Sequence, residues 1–262
     1  MIDSLTLKKL RTGEFVRGAV LGSCPESWLA EVIGRLGYDV IWLDMEHNCF
    51  GYDRIGPIAL ACRATGIDLM VRILKSGYAS PMRALEAGAN GIMVPHCMDA
   101  TEARRWVEWA RFHPLGKRGF DGAGVDADYM LADPIEHMRH SNDQTFLVLQ
   151  IEDREALNSV EEIAATDGVD MLFIGIGDLS ISLGVPMQFD HPLVQHAIDR
   201  VAGAAQKAGK WWSMPTGSVE SAQLALSRGA RMVFTANDHV LLVKGFQNAA
   251  KEYQGLVRRS IS

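Results

Sequence analysis

Residues 37–47 read GYDVIWLDMEH, and the order of residue types in that stretch decides the architecture. Glycine comes first, and it suits the left-handed backbone that closes a helix because it has no Cβ to clash. Val40, Ile41, Trp42 and Leu43 follow, a β-branched and aromatic run fit for a buried strand. Asp44, Glu46 and His47 come next without an intervening turn, so ionisable groups stand at the mouth of a core.

The same punctuation returns as GIDLMVRI from Gly66, GANGIMVP from Gly88, GVDMLFIG from Gly168, GKWWSMP from Gly209 and GARMVFTA from Gly229. Each glycine marks the end of one helix and the approach of the next strand. Helix starts are legible too: Ser80 as an N-cap with Pro81 at the first helical position, and Asp99 with Glu102 as a capping box. Eight strands are predicted, over 17–22, 40–44, 68–73, 91–95, 146–152, 170–175, 210–214 and 231–235. Eight alternating β and α units predict an α/β fold, a single (β/α)8 TIM barrel over residues 1–262, with a doubly wound open sheet as the alternative. Residues 113–145, rich in Gly, Asp and His, are too long for a simple connection and read as a functional or mobile loop.

With 48% hydrophobic and 22% charged residues, the chain has material for one large core. A net charge of −6 without a basic stripe gives no footprint for nucleic acid or an acidic membrane, which leaves a small molecule as the expected partner. The opening MIDSLTLKKLRTGEF lacks the apolar centre of a secretory signal and no run is long enough to span a bilayer, so a soluble, cytoplasmic protein is expected. Cys24, Cys49, Cys62 and Cys97 lack C-x-x-C spacing and read as reduced thiols.

Barrel enzymes carry their chemistry at the C-terminal ends of the strands. Asp44, Glu46, His47, Arg72, His96, Gln150, Glu152 and Asp178 fall there, whereas Asp68 and Asp170 fall at the opposite ends and read as solubility or capping residues. Strand alternation in FLVLQIED turns Leu149, Ile151 and Asp153 one way and Gln150 and Glu152 the other, into the barrel. Gly175 and Gly177 let backbone approach a ligand, and free amides before LSISLG suit a carboxylate. Two carboxylates from adjacent strands, Glu152 and Asp178, make a seat for a hard divalent cation, which a 2-keto acid would complete through its own oxygens.

The ordered motifs WLDMEH, VRI, ALEAGANGIMVPH, PLGKRGF, LQIED and FIGIGDLSISLG resemble the HpcH/HpaI aldolases, class II metal-dependent pyruvate aldolases, from about Gly18 to the end of the chain. The resemblance implies cleavage of a 4-hydroxy-2-keto acid to pyruvate, or hydroxypyruvate, and an aldehyde. It implies Glu152 and Asp178 as ligands of Mg²⁺, Mn²⁺ or Co²⁺, and His47 as a base acting with Asp44. Arg72 would bind the keto oxygen and its enolate, Gln150 would sit beside the metal, and amides from Gly175 through Gly177 to Asp178 would hold the pyruvate carboxylate. It further implies a homo-oligomer, a hexamer built as a trimer of dimers that exchange C-terminal helices, with Glu86 reaching a neighbour's site. Family members usually carry Asp where Glu86 stands and Gly-Pro where this chain has Gly175-Ile176, departures that bear on the acceptor aldehyde.

Three alternatives stand beside this reading. Lys75 would serve as a Schiff-base residue if its ammonium were depressed into the neutral range. A decarboxylase acting on oxaloacetate would pass through the same enolate. A non-catalytic barrel binding a keto acid is disfavoured by the set Asp44, His47, Arg72, Glu152 and Asp178. Of the remaining rim and loop residues, His96, His113 and Cys97 are read as packing or loop residues, and Trp211 and Trp212 as core and wall aromatics.

Overall fold

The computed structural model describes residues 2–257. Its strands are β1 (Val16–Leu21), β2 (Val40–Asp44), β3 (Asp68–Arg72), β4 (Gly91–Val94), β5 (Phe146–Ile151), β6 (Met171–Ile174), β7 (Trp211–Pro215) and β8 (Met232–Asn237). Each pairs in parallel with the next and β8 returns to β1, closing a (β/α)8 barrel rather than an open sheet. The strands begin and end within a residue or two of their expected bounds. All six punctuating glycines, at 37, 66, 88, 168, 209 and 229, have φ between 66° and 104°, the conformation a Cβ would disfavour.

The helices are α1 (Leu5–Arg11), α2 (Ser27–Arg35), α3 (Ile55–Thr65), α4 (Ala79–Glu86), α5 (Ala100–Ala110), α6 (Pro134–Gln144), α7 (Arg154–Asn158), α8 (Val160–Ala164), α9 (Ile176–Ser182), α10 (Pro192–Lys207), α11 (Val219–Ser227) and α12 (Asp238–Val257). Three local expectations need correction. α4 begins at Ala79, so Ser80 and Pro81 lie inside its first turn and Tyr78 takes the N-cap position. Residues 113–145 are not one loop: Asp133 caps α6 by accepting from the amides of Ile135 and Glu136, with Pro134 at its first position. Asp68 is buried, against a solubilising role but in keeping with a capping one: it accepts hydrogen bonds from Ser4 Oγ and from the amides of Leu5 and Thr6 in the first turn of α1.

Strand alternation produces two cores. Inside the barrel, Trp42, Met70, Met93, Val148, Phe173 and Phe234 pack above Leu7 and Leu10, with which α1 closes the N-terminal end. Trp42 meets Phe173 and Phe234 edge-to-face at centroid separations of 5.2 and 5.3 Å. Outside, Ile41, Leu43, Leu69, Val71, Leu147, Leu149 and Ile151 face the helices. Two residues beyond the aromatic layer on the inward side come Asp44, Arg72 and Gln150, so the same alternation that builds the core sets the floor of the rim.

The wall is incomplete at one seam. α12 leaves β8 without filling the space beside α2, and a groove of about 540 Å³ lined by Trp28, Val32, Leu36, Leu241, Leu242 and Phe246 remains. Among the described residues no helix is long and apolar enough to cross a membrane.

Candidate active site

Asp44 ends β2 opposite Arg72 at the end of β3, and the register makes the two Cα partners. Arg72 donates from Nε to Asp44 Oδ1 at 2.7 Å and from Nη2 to Oδ2 at 2.8 Å, a planar fork on a carboxylate. Its Nη1 reaches Glu46 Oε2 at 2.9 Å, and its guanidinium carbon lies 4.9 Å from the centre of the Trp42 ring. Asp44 is further held by Asn48 Nδ2 at 3.0 Å and by the amide of Glu46 at 3.1 Å. His47 stands apart from this fork: its side chain is 64% exposed, and Nε2 lies 3.8 Å from Glu46 Oε2.

Glu152, one residue past β5, is 1% exposed. Its Oε1 accepts the His96 amide at 2.7 Å and its Oε2 accepts Gln150 Nε2 at 2.8 Å. Burial pushes its carboxyl up to about 7; the amide and charge of His96 and the charge of Arg72 oppose that shift, while Glu46 adds to it. Gly175 explains how the carboxyl fits there. A Cβ at Gly175 would lie 2.7 Å from Glu152 Cβ and overlap its Oε2, so the space a side chain would take belongs to Glu152. Gly177 has nothing within 4 Å of the corresponding position and lies with Asp178 in the first turn of α9, where amides lack intrahelical acceptors.

His96, set at a strand end by sequence but read as a packing or loop residue, joins the rim, and so does Asp153, which strand alternation had turned away from Glu152. His96 Nδ1 meets Asp153 Oδ2 at 2.8 Å, and Nε2 lies 3.8 Å from Glu46 Oε1. Burial lowers the affinity of the His96 ring for its proton, but Asp153, Glu152 and Glu46 together raise it above the usual value. The signal was its position two residues past the end of β4, on the rim that also selected Arg72. Lys75 Nζ pairs with Glu102 Oε1 at 2.7 Å and donates to the His96 carbonyl at 2.7 Å. Glu86 is not part of this rim. It ends α4 beside Arg118, Asp126 and Asp121, where burial raises its carboxyl.

The rim gathers the carboxylates of Asp44, Glu46, Glu152 and Asp153 around Arg72 and His96. Gln150 Oε1 is buried without a hydrogen-bond partner, a hard oxygen beside the Glu152 carboxylate. Oxygen donors of this kind fit a hard divalent cation. Among the described residues no three His, Cys, Asp or Glu side chains form a ready cage for a metal ion.

A closed parallel barrel with its charged and buried polar groups on the C-terminal rim defines an enzyme of the (β/α)8 class. Residues 22–244 match the family HpcH/HpaI aldolase/citrate lyase. Among relatives, a 2-keto-3-deoxy-L-rhamnonate aldolase of Klebsiella pneumoniae is 30% identical over 90% of this chain and 91% of its own. A hydroxypyruvate/pyruvate aldolase of Roseobacter denitrificans is 32% identical over 95% and 96%. The crystal structure of an HpcH/HpaI aldolase from Desulfitobacterium hafniense superposes with a TM-score of 0.91 at 29% identity, covering 96% of this chain and 97% of the other. The chain belongs to the HpcH/HpaI aldolase/citrate lyase family, and it is a carbon–carbon lyase.

Proposed function

We propose that the protein cleaves a 4-hydroxy-2-keto acid to pyruvate, or hydroxypyruvate, and an aldehyde, with a divalent metal cation held by Glu152 and Asp178. The observation that carries this is the buried Glu152 carboxylate beside the unpartnered Gln150 Oε1, facing a guanidinium that Asp44 holds rigid. The names of the Klebsiella and Roseobacter relatives support the keto-acid class. A bound Mg²⁺, Mn²⁺ or Co²⁺ would polarise the keto carbonyl and stabilise negative charge on its oxygen.

The chain's own residues do the rest. Amides of residues 176–178 point from the first turn of α9 and receive the substrate carboxylate. Arg72 keeps Nε and Nη2 on Asp44 and turns Nη1, now on Glu46, to the keto oxygen, where charge develops as the C3–C4 bond breaks. His47, whose exposed ring lies 3.8 Å from Glu46, takes the proton of the C4 hydroxyl, and Asp44 acts on it through the Glu46 segment that it anchors. In the reverse direction the same groups form the pyruvate enolate, which water can reprotonate.

That reversal supplies the test. Incubated in D₂O with Mn²⁺ and no aldehyde, the enzyme should exchange the methyl protons of pyruvate, followed by proton NMR, and chelator should stop it. Exchange that persists in chelator and is trapped by borohydride would move the chemistry to Lys75. Absence of exchange with both pyruvate and hydroxypyruvate would overturn the reading.

The groove between α2 and α12 supports an assembly in which a second copy completes the wall, and exchange of α12 between subunits answers it directly. A hexamer made of three such dimers would also bring Glu86 to a neighbour's rim.

A further inference from the structure

His96 follows β4 with φ of +48°, in the left-handed region that few residues other than Gly occupy, His among the more tolerant of them and β-branched residues the least. Three contacts hold it there. Its ring is bound by Asp153 at 2.8 Å, its carbonyl accepts Lys75 Nζ at 2.7 Å, and its amide donates to Glu152 Oε1 at 2.7 Å. Asp153 is the N-cap residue of α7, yet its carboxylate makes no capping hydrogen bond there and is given over to the His96 ring. Extended backbone at residue 96 would swing the amide away and leave Oε1 of a buried carboxylate without its donor.

We propose that His96 is a positioning residue for Glu152: the bond from its ring to Asp153 keeps its backbone left-handed, and that backbone aims the amide which fixes the cation-binding carboxylate. The inference rests on the reading of Glu152 as a cation ligand. It assigns the ring no contact with substrate, so a side chain that tolerates the same backbone should replace it.

The test is the Mn²⁺ affinity of the full-length chain by titration calorimetry, with the thermal unfolding midpoint measured alongside. His96→Val opposes positive φ because it is β-branched, and it should weaken Mn²⁺ about 10- to 100-fold, the usual effect of losing an outer partner of a metal ligand. Asp153→Ala removes the ring's anchor and should weaken it by about 10-fold. His96→Asn, which accepts left-handed backbone, should stay within about threefold of wild type. Midpoints should move little, since the contacts lie on the rim. If His96→Asn loses as much as His96→Val, the ring and not the backbone matters, and the inference falls. Should His96→Val not fold, unchanged affinity in Asp153→Ala overturns the inference by itself. Wild type without Mn²⁺ affinity overturns the metal reading together with this inference, whereas equal affinity across wild type and variants overturns this inference alone.

Discussion

Gly175 and Arg72 show how much of the rim depends on single atoms. A methyl group at Gly175 would contest the volume of the Glu152 carboxyl, a group with no open space to retreat into at 1% exposure. Gly175→Ala should therefore cost about 1–3 kcal/mol of stability through overpacking and reduce pyruvate exchange more than the lost stability explains. Gly177→Ala, with open space around it, should cost no stability. Thermal midpoints and exchange rates of the two variants decide the matter, and a Gly175→Ala protein as active and stable as wild type would contradict the packing. Arg72→Lys keeps the charge but loses the fork that holds both Asp44 oxygens. We expect kcat/KM to fall by about 100-fold or more, with kcat reduced as well as KM raised, because under the proposed mechanism the contact would strengthen as the enolate forms. Wild-type kinetics in Arg72→Lys would mean that an oriented donor is not needed there.

At the scale of elements, the barrel could be read from sequence because strand and helix ends obey local rules: glycine at the left-handed position, apolar runs for strands, carboxylates beyond them. The pairing of Asp44 with Arg72 was legible as a shared rim, since both lie at strand ends on the inward parity. The place of His96 on that rim was legible too, but the role proposed for it was not, because that role depends on a left-handed backbone and on a carboxylate 56 positions away that only the fold brings near. α6 was missed although Asp133-Pro134 announces a helix start, because its weakly apolar sequence offers little periodicity against the Gly-rich residues before it. What ties that segment down is also tertiary. Arg118 donates to Asp126 at 2.6 Å and to Ser141 of α6 at 3.1 Å, and His137 Nε2 lies 3.4 Å from the same Asp126 oxygen. Burial alone would raise the Asp126 carboxyl, but the His137 hydrogen bond and the Arg118 charge hold it below the usual carboxylate range. A depressed carboxylate stabilises the fold above its unfolded pKa, near 3.9, and that contribution is lost as pH falls through the folded value. Asp126→Asn leaves Arg118 buried without its counter-charge and should cost about 3 kcal/mol near pH 7. The gap between wild-type and variant midpoints should close below about pH 4. A gap independent of pH would show that Asp126 acts through packing and not charge.

For the whole molecule the open seam makes the last prediction. In a barrel with eight helices flanking eight strands, the helix after β8 covers the strands at the point of closure. Here α12 exposes Leu241 at 58% and Phe246 at 74%, and across the groove α2 exposes Trp28 at 60%. Burying one such large side chain stabilises by about 1.5–3 kcal/mol, and these residues line one groove instead of being scattered singly. A second copy that places its own α12 in the groove would bury both apolar faces at once, and two-fold symmetry would repeat the contact. Phe246→Asp sets a charge in the lining of that groove. We expect wild type to run as an oligomer in analytical ultracentrifugation and the variant to dissociate toward monomer, with a lower unfolding midpoint that rises with protein concentration. A monomeric wild type at micromolar concentration would refute exchange and assembly together. If the variant kept the wild-type oligomer, another face of the barrel would have to hold the copies together, and the groove would not be the subunit contact.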